Sequence, residues 1–225
     1  MLPEEHLSAD TKDVVKLGIA LVATMSALVL GLLIASAKST YDTRRNQLLQ
    51  VSADIILLDR VLANYGAETK DARSLLQRSV AAAIEQFWPA NAGPPATIER
   101  RASSVEALFD NIQRLSPQSE AQRFLQGQAL TMALDLGRTR VLLFEQLDSS
   151  IPAPFLVVLV FWLAIIFASF GLFAPGNATV IAAFFVCALS VSGAIFLILE
   201  LDRSFEGVLQ VSSAPLRAAL AQLEQ

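Results

Sequence analysis

Hydrophobic and polar positions fall into three long blocks and a set of short stripes. Residues 17–37 (LGIALVATMSALVLGLLIASA) contain no Asp, Glu, Lys or Arg over 21 positions. An α-helix of that length covers roughly 30 Å at about 1.5 Å per residue, one bilayer core. Residues 149–199 form a second uncharged stretch of 51 residues, too long for one crossing. It is punctuated at Ala174-Pro175-Gly176-Asn177, where Pro and Gly break helical continuity. The pattern predicts a second span over 151–173 and a third over 178–199, joined as an antiparallel hairpin. Pro152 and Pro154 suit the first turn of the second span, where a missing N–H costs no helical bond.

The segment 38–150 carries a different pattern. Leu48, Val51, Ile55, Leu58, Leu62 and Tyr65 recur at three and four residues, one face of a helix. No proline falls between Pro3 and Pro89, so the first span can continue out of the membrane as one long helix, bent at Gly66. A second helix is expected over 67–87, a loop over 89–95 (PANAGPP), a third helix over 97–115 and a fourth over 118–148. Leu125, Ala129, Met132, Leu136, Leu143 and Leu147 line one face of the fourth. Both stripes read as the core of a packed helical bundle. The expected fold is an all-α membrane protein. It has an N-terminal leader (1–16), a first span (17–37), a helical domain (38–150), two further spans (151–173 and 178–199) and a tail (200–225).

Charge sharpens this division. The two uncharged stretches hold 72 of 225 residues, so all 38 charged residues lie in the remaining 153, about a quarter of them, the usual share for a soluble domain. The segment 38–150 has 13 basic and 13 acidic residues, which argues against a nucleic-acid partner needing a concentrated basic face. The leader is net negative and its apolar run exceeds a signal-peptide core. Ala35-Ser36-Ala37 therefore reads as part of an anchor, not a cleavage site. Near the span ends, Lys12 and Lys16 stand on one side; Lys38, Arg44, Arg45, Arg138, Arg140, Arg203 and Arg217 stand on the other. The positive-inside rule then places 38–150 and the C-terminal tail in the cytoplasm and the N-terminus outside.

Chemistry is sparse. One His (His6) and one Cys (Cys187) lie at opposite ends of the chain, too few for a zinc site, and the topology, with Cys187 inside the third span, separates them as a nucleophile pair. There is no P-loop or dinucleotide fingerprint, so no cofactor and no enzymatic activity are expected. No ionisable group lies within a span, which argues against a proton relay. Ala23, Ala27, Gly31 and Ala35 recur every four residues on the first span, a face that allows close helix–helix approach within or between subunits. Charged residues collect at the span ends, with Arg138, Arg140, Glu145 and Asp148 before the second span and Glu200, Asp202 and Arg203 after the third. They can anchor the helices at headgroup level or ring a pore mouth.

Two motifs carry a family resemblance. The first is Leu58-Asp59-Arg60-Val61-Leu62-Ala63-Asn64-Tyr65-Gly66-Ala67-Glu68, followed by Arg73 and Leu75-Leu76. The second is Leu197-Ile198-Leu199-Glu200-Leu201-Asp202-Arg203-Ser204-Phe205-Glu206-Gly207, followed by Val211-Ser212 and Pro215-Leu216. With Phe170-Gly171-Leu172 and Asn177-Ala178 between the last two spans, they resemble the bestrophin-like domain family of bacterial integral membrane proteins over roughly residues 14–223. The chain departs from the family pattern at Ser204, where proline is common, and at Glu206, where a small residue is usual.

The resemblance implies a bacterial inner-membrane protein and a homo-oligomeric channel with a distant likeness to anion channels. Phenylalanines such as Phe184, Phe185 and Phe196 could line its pore or face lipid. It marks Asp59, Tyr65, Gly66, Arg73, Glu200, Asp202, Phe205 and Gly207 as motif residues. Physical reading gives them structural work. Asp59 and Arg73 are about four turns apart on a straight helix and can meet only if the chain turns at Gly66, where glycine permits a left-handed cap. Asp202 and Gly207 mark the end of the third span, with Phe205 free to tuck against the bundle. The other reading is a membrane-anchored helical scaffold or accessory subunit, whose partners are the lipid bilayer and another membrane protein.

Overall fold

A computed structural model describes residues 9–89, 98–145, 153–173, 177–203, 205 and 207–224. Among them every regular element is helical: α1 (Ala9–Tyr65), a short 3-10 turn (Ala67–Thr69), α2 (Lys70–Phe87), α3 (Ile98–Gln113), α4 (Glu120–Glu145), α5 (Ala153–Phe173), α6 (Ala178–Asp202) and α7 (Ala214–Leu223). The proline-free run from residue 9 to residue 65 forms one helix of 57 residues, about 85 Å at 1.5 Å per residue. Of the expected 89–95 loop only Pro89 is described. The 174–176 turn and Leu147 of the fourth-helix stripe also lie outside the described residues.

The chain divides into two compact units. One takes Met1–Thr40 and Ser149–Asp202 and holds the three stretches long and apolar enough to cross a membrane. Its small core gathers Leu33, Ala37, Leu159 and Ile198, with Val29, Leu30, Leu163 and Leu201 against them. Some hydroxyls within the spans are satisfied locally. Ser26 Oγ donates to the Val22 carbonyl and Ser190 Oγ to the Val186 carbonyl, both at 2.8 Å, as a medium without water requires. Asn177 starts α6: its carbonyl accepts from the N–H groups of Val180 and Ile181.

The other unit takes Tyr41–Asp148 and Arg203–Gln225. Its core is built on the stripe read from the sequence. Leu48, Ile55, Leu58, Leu62 and Tyr65 of α1 are buried. They meet Ala72, Leu76, Val80 and Ile84 of α2, spaced at every fourth residue, and Ala129 and Ala133 of α4. The small alanines allow α4 to approach closely. Leu216, Ala219 and Leu223 bury one face of α7 in the same core. That last helix has no counterpart among the sequence expectations, which left 200–225 as a tail.

α6 covers the whole of the expected third span, 178–199, and ends at Asp202, one of the two residues expected to mark its stop. Glu200 and Asp202 are helical and buried, and each has interaction partners. The third helix ends at Gln113 instead of 115, since Leu115 closes a tighter turn with its N–H on the Ile112 carbonyl at 3.3 Å. Gln126 caps that end: its Nε2 donates to the carbonyls of Ile112 and Leu115, both at 2.9 Å.

Candidate functional site

The first motif builds a turn. Gly66 ends α1 with φ +136° and ψ −173°, outside the left-handed helical basin and in a region that is essentially glycine-only. The capping conformation expected from sequence is thus replaced by a more extended one. Thr69 then locks the turn. Its hydroxyl lies 2.7 Å from the Leu62 carbonyl and 2.8 Å from the Gly66 carbonyl, and its N–H reaches the Gly66 carbonyl at 3.3 Å. From α4, Gln122 Nε2 donates to the Tyr65 carbonyl at 3.1 Å. Two of the last four carbonyls of α1, those of Leu62 and Tyr65, are met this way. Neither Thr69 nor Gln122 was singled out from the sequence; Thr69 at the third position after the motif glycine is the one signal that offered it.

The turn folds α2 back along α1 and brings Asp59 and Arg73 together. Arg73 Nε donates to Asp59 Oδ1 at 2.6 Å and Nη2 to Oδ2 at 2.9 Å. The Asp59 side chain is 11% exposed and that of Arg73 33%, so this is a half-buried fork-to-carboxylate pair. The hydrogen bond to Asp59, more than its charge, raises the Arg73 pKa, against an opposing push from burial. Tyr65 faces the core. Its hydroxyl is buried without a partner among the described residues, and burial, then the charge of Glu68, raises its pKa. Ile56, Asp59, Arg60, Arg73, Gln222 and Leu223 line an open polar hollow of about 190 Å³.

The second motif ties the segment after α6 to the bundle. Phe205 is buried, with its ring centroid 5.1 Å from Phe87 and 5.6 Å, edge-on, from Trp88. Trp88 Nε1 donates to the Val211 carbonyl at 2.9 Å, and Val211 is buried. Gly207 has φ +86°. Among the described residues, the two glycines with positive φ are the two motif glycines. Both motifs therefore end at a backbone bend that a side chain would strain.

The remaining candidates are apart from this cluster. On α1, Ala27, Gly31 and Ala35 are exposed and Ala23 half-exposed, while packing within the unit uses Leu33 and Ala37 on another face. Nothing lies within 4 Å of a Cβ placed on Gly31. Phe184 stacks on Phe170 at 5.9 Å, whereas Phe185 and Phe196 are exposed. Among the described residues no group of three or more His, Cys, Asp and Glu is placed to hold a metal ion.

Comparisons with known proteins agree with this architecture. The family model described as the bestrophin-like domain matches residues 1–216. Solved structures of a bacterial bestrophin homologue from Klebsiella pneumoniae, two of them point mutants, superpose with TM-scores of 0.71, 0.69 and 0.66. Identity is 16%, 16% and 17%, over 92% of this chain and 85% of each of those. At that identity the likeness establishes the fold. No curated protein matches the chain.

Proposed function

Because the chain belongs to the bestrophin-like family, we propose that it works as a homo-oligomeric channel that conducts anions across a bacterial inner membrane. In this reading the three spans are residues 17–37, 151–173 and 178–199. The helical domain and the tail face the cytoplasm, with the N-terminus outside. The observation that carries the proposal is how little of each span its own chain covers. Only 11%, 11% and 6% of the most apolar stretch of each is buried, and Leu28, at 74% exposure, is typical of the uncovered residues. Three helices cannot enclose a pore alone, and symmetric assembly is the ordinary way to complete one. The open Ala27, Gly31 and Ala35 face supports close contact between copies. Spans without ionisable groups suit passive conduction better than proton coupling. Purified protein reconstituted into liposomes should release trapped chloride down its gradient.

A second reading, a membrane-anchored scaffold or accessory subunit, is favoured by one feature. The helical domain exposes large apolar side chains, Phe124 at 72% and Leu134 among them. Such side chains on a water-facing surface suit a protein partner. Native purification that consistently retains one other membrane protein, with no flux from the purified chain, would favour this reading.

A further inference from the structure

The polar hollow beside the ion pair has unspent hydrogen-bonding capacity. Arg73 commits Nε and one Nη2 hydrogen to Asp59. A guanidinium has five N–H donors, so both Nη1 hydrogens and the second on Nη2 remain. Arg60, adjacent to Asp59 on α1, makes no side-chain ion pair or hydrogen bond among the described residues. The Gln222 side chain, on α7, likewise makes none among the described residues. These three side chains line one hollow of about 190 Å³, with Ile56 and Leu223 as its apolar walls. The titratable groups that face it are Asp59, Arg60 and Arg73, one carboxylate against two guanidiniums. The hollow therefore has one surplus positive charge. The hollow opens to solvent on the side of the exposed Arg60 and Gln222, and it has room for a phosphate-sized group together with water.

We propose that this hollow binds a small oxyanion, a phosphate or carboxylate group, between Arg60, Arg73 and Gln222. Guanidinium groups match such oxygens in two-point geometry, and the surplus charge selects an anion. The ligand would bridge α1 and α2 to α7, fastening the terminal helix to the helical hairpin of the first motif. The proposal concerns the helical domain alone and stands whether or not the oligomer conducts.

The test uses the full chain purified in detergent. Inorganic phosphate and acetate are titrated separately at ionic strength held constant with chloride, with binding read by calorimetry and by thermal unfolding. We expect one saturable site per chain for at least one of the two, and the preferred anion identifies the head group. Arg60→Gln should weaken it about tenfold or more, Gln222→Ala by a smaller factor, and Arg60→Lys should retain part of it. The unliganded melting temperature of Arg60→Gln should stay at the wild-type value, because Arg60 is exposed and its side chain has no partner to lose among the described residues. Absence of saturable binding by both anions overturns the proposal. So does equal binding by wild type, Arg60→Gln and Gln222→Ala.

Discussion

Arg73 grips Asp59 with two nitrogens, at 2.6 and 2.9 Å, across a turn between two helices. The fourteen residues separating them make this contact a direct readout of the bend at Gly66. Exposed ion pairs contribute about 0–1 kcal/mol and breaking a buried one costs about 3–5; this pair is intermediate in burial. Arg73→Ala and Asp59→Asn should each lower the stability of the helical domain by about 1–3 kcal/mol. The double variant should cost less than the two single losses combined. Thermal unfolding of all three variants in detergent gives the coupling energy, and additive losses would show that the pair contributes nothing.

Gly66 holds that bend. A Cβ built there would meet Glu68 Oε2 at 2.6 Å, but this is the far end of a flexible side chain that can move away. The φ of +136° cannot be relieved in the same way. Gly66→Ala should therefore destabilise the protein by about 1–3 kcal/mol, and Glu68→Ala in the same chain should not rescue it. Full rescue would mean that the side-chain clash, and not backbone strain, sets the requirement.

Tyr65 gives a prediction of opposite sign. Its hydroxyl is buried without a partner among the described residues, and a group in that state costs on the order of 1–3 kcal/mol. Tyr65→Phe should be neutral or stabilising near pH 7. The pH dependence follows from the raised pKa of Tyr65 in the fold. The neutral phenol is favoured there, so its contribution is fully present below the unfolded value of about 10 and is lost as pH rises through the folded value. Wild-type melting temperature should fall more steeply above about pH 10 than that of Tyr65→Phe. Parallel curves would contradict this.

Phe205 and Trp88 fasten the segment after α6 to the bundle. Phe205→Ala should cost about 3–5 kcal/mol, as buried aromatic truncations do. Trp88→Phe should cost less, near the 0.5–1.5 kcal/mol of one hydrogen bond together with some lost ring contact. Limited proteolysis should cut the chain near 203–213 earlier in both variants, and an unchanged cleavage pattern would argue against the fastening.

Much of this architecture is legible in sequence because it follows from periodicity. Leu48 to Tyr65 follows helical spacing and is buried or half-buried as that spacing requires, and the uncharged stretches coincide with the three membrane-grade helices. The motif glycines could be recognised as bends, but not the φ that each adopts. What stayed hidden depends on contacts between distant segments. The bonds from Gln122 to the Tyr65 carbonyl and from Trp88 to the Val211 carbonyl join residues 57 and 123 positions apart, and no local pattern announces them. α7 was missed because ten residues at the chain's end give too short a stripe to stand apart from an irregular tail. The end of α6 at Asp202 was legible in the second motif, but the burial of Glu200 and Asp202 was not.

Assembly can be separated from folding at Gly31. That residue has open space around it within the chain, so Gly31→Ile should leave the protomer folded while weakening the oligomer through a face built for close approach. Native mass and melting temperature measured together decide it. An unchanged oligomer mass would remove this face from the interface.

The central claim is conduction by a symmetric assembly, and chloride efflux from liposomes containing the purified wild-type oligomer tests it most directly. Efflux should scale with the amount of oligomer and fall in the Gly31→Ile protein in step with its loss of assembly. A well-folded oligomer that releases no more chloride than protein-free liposomes would contradict the account.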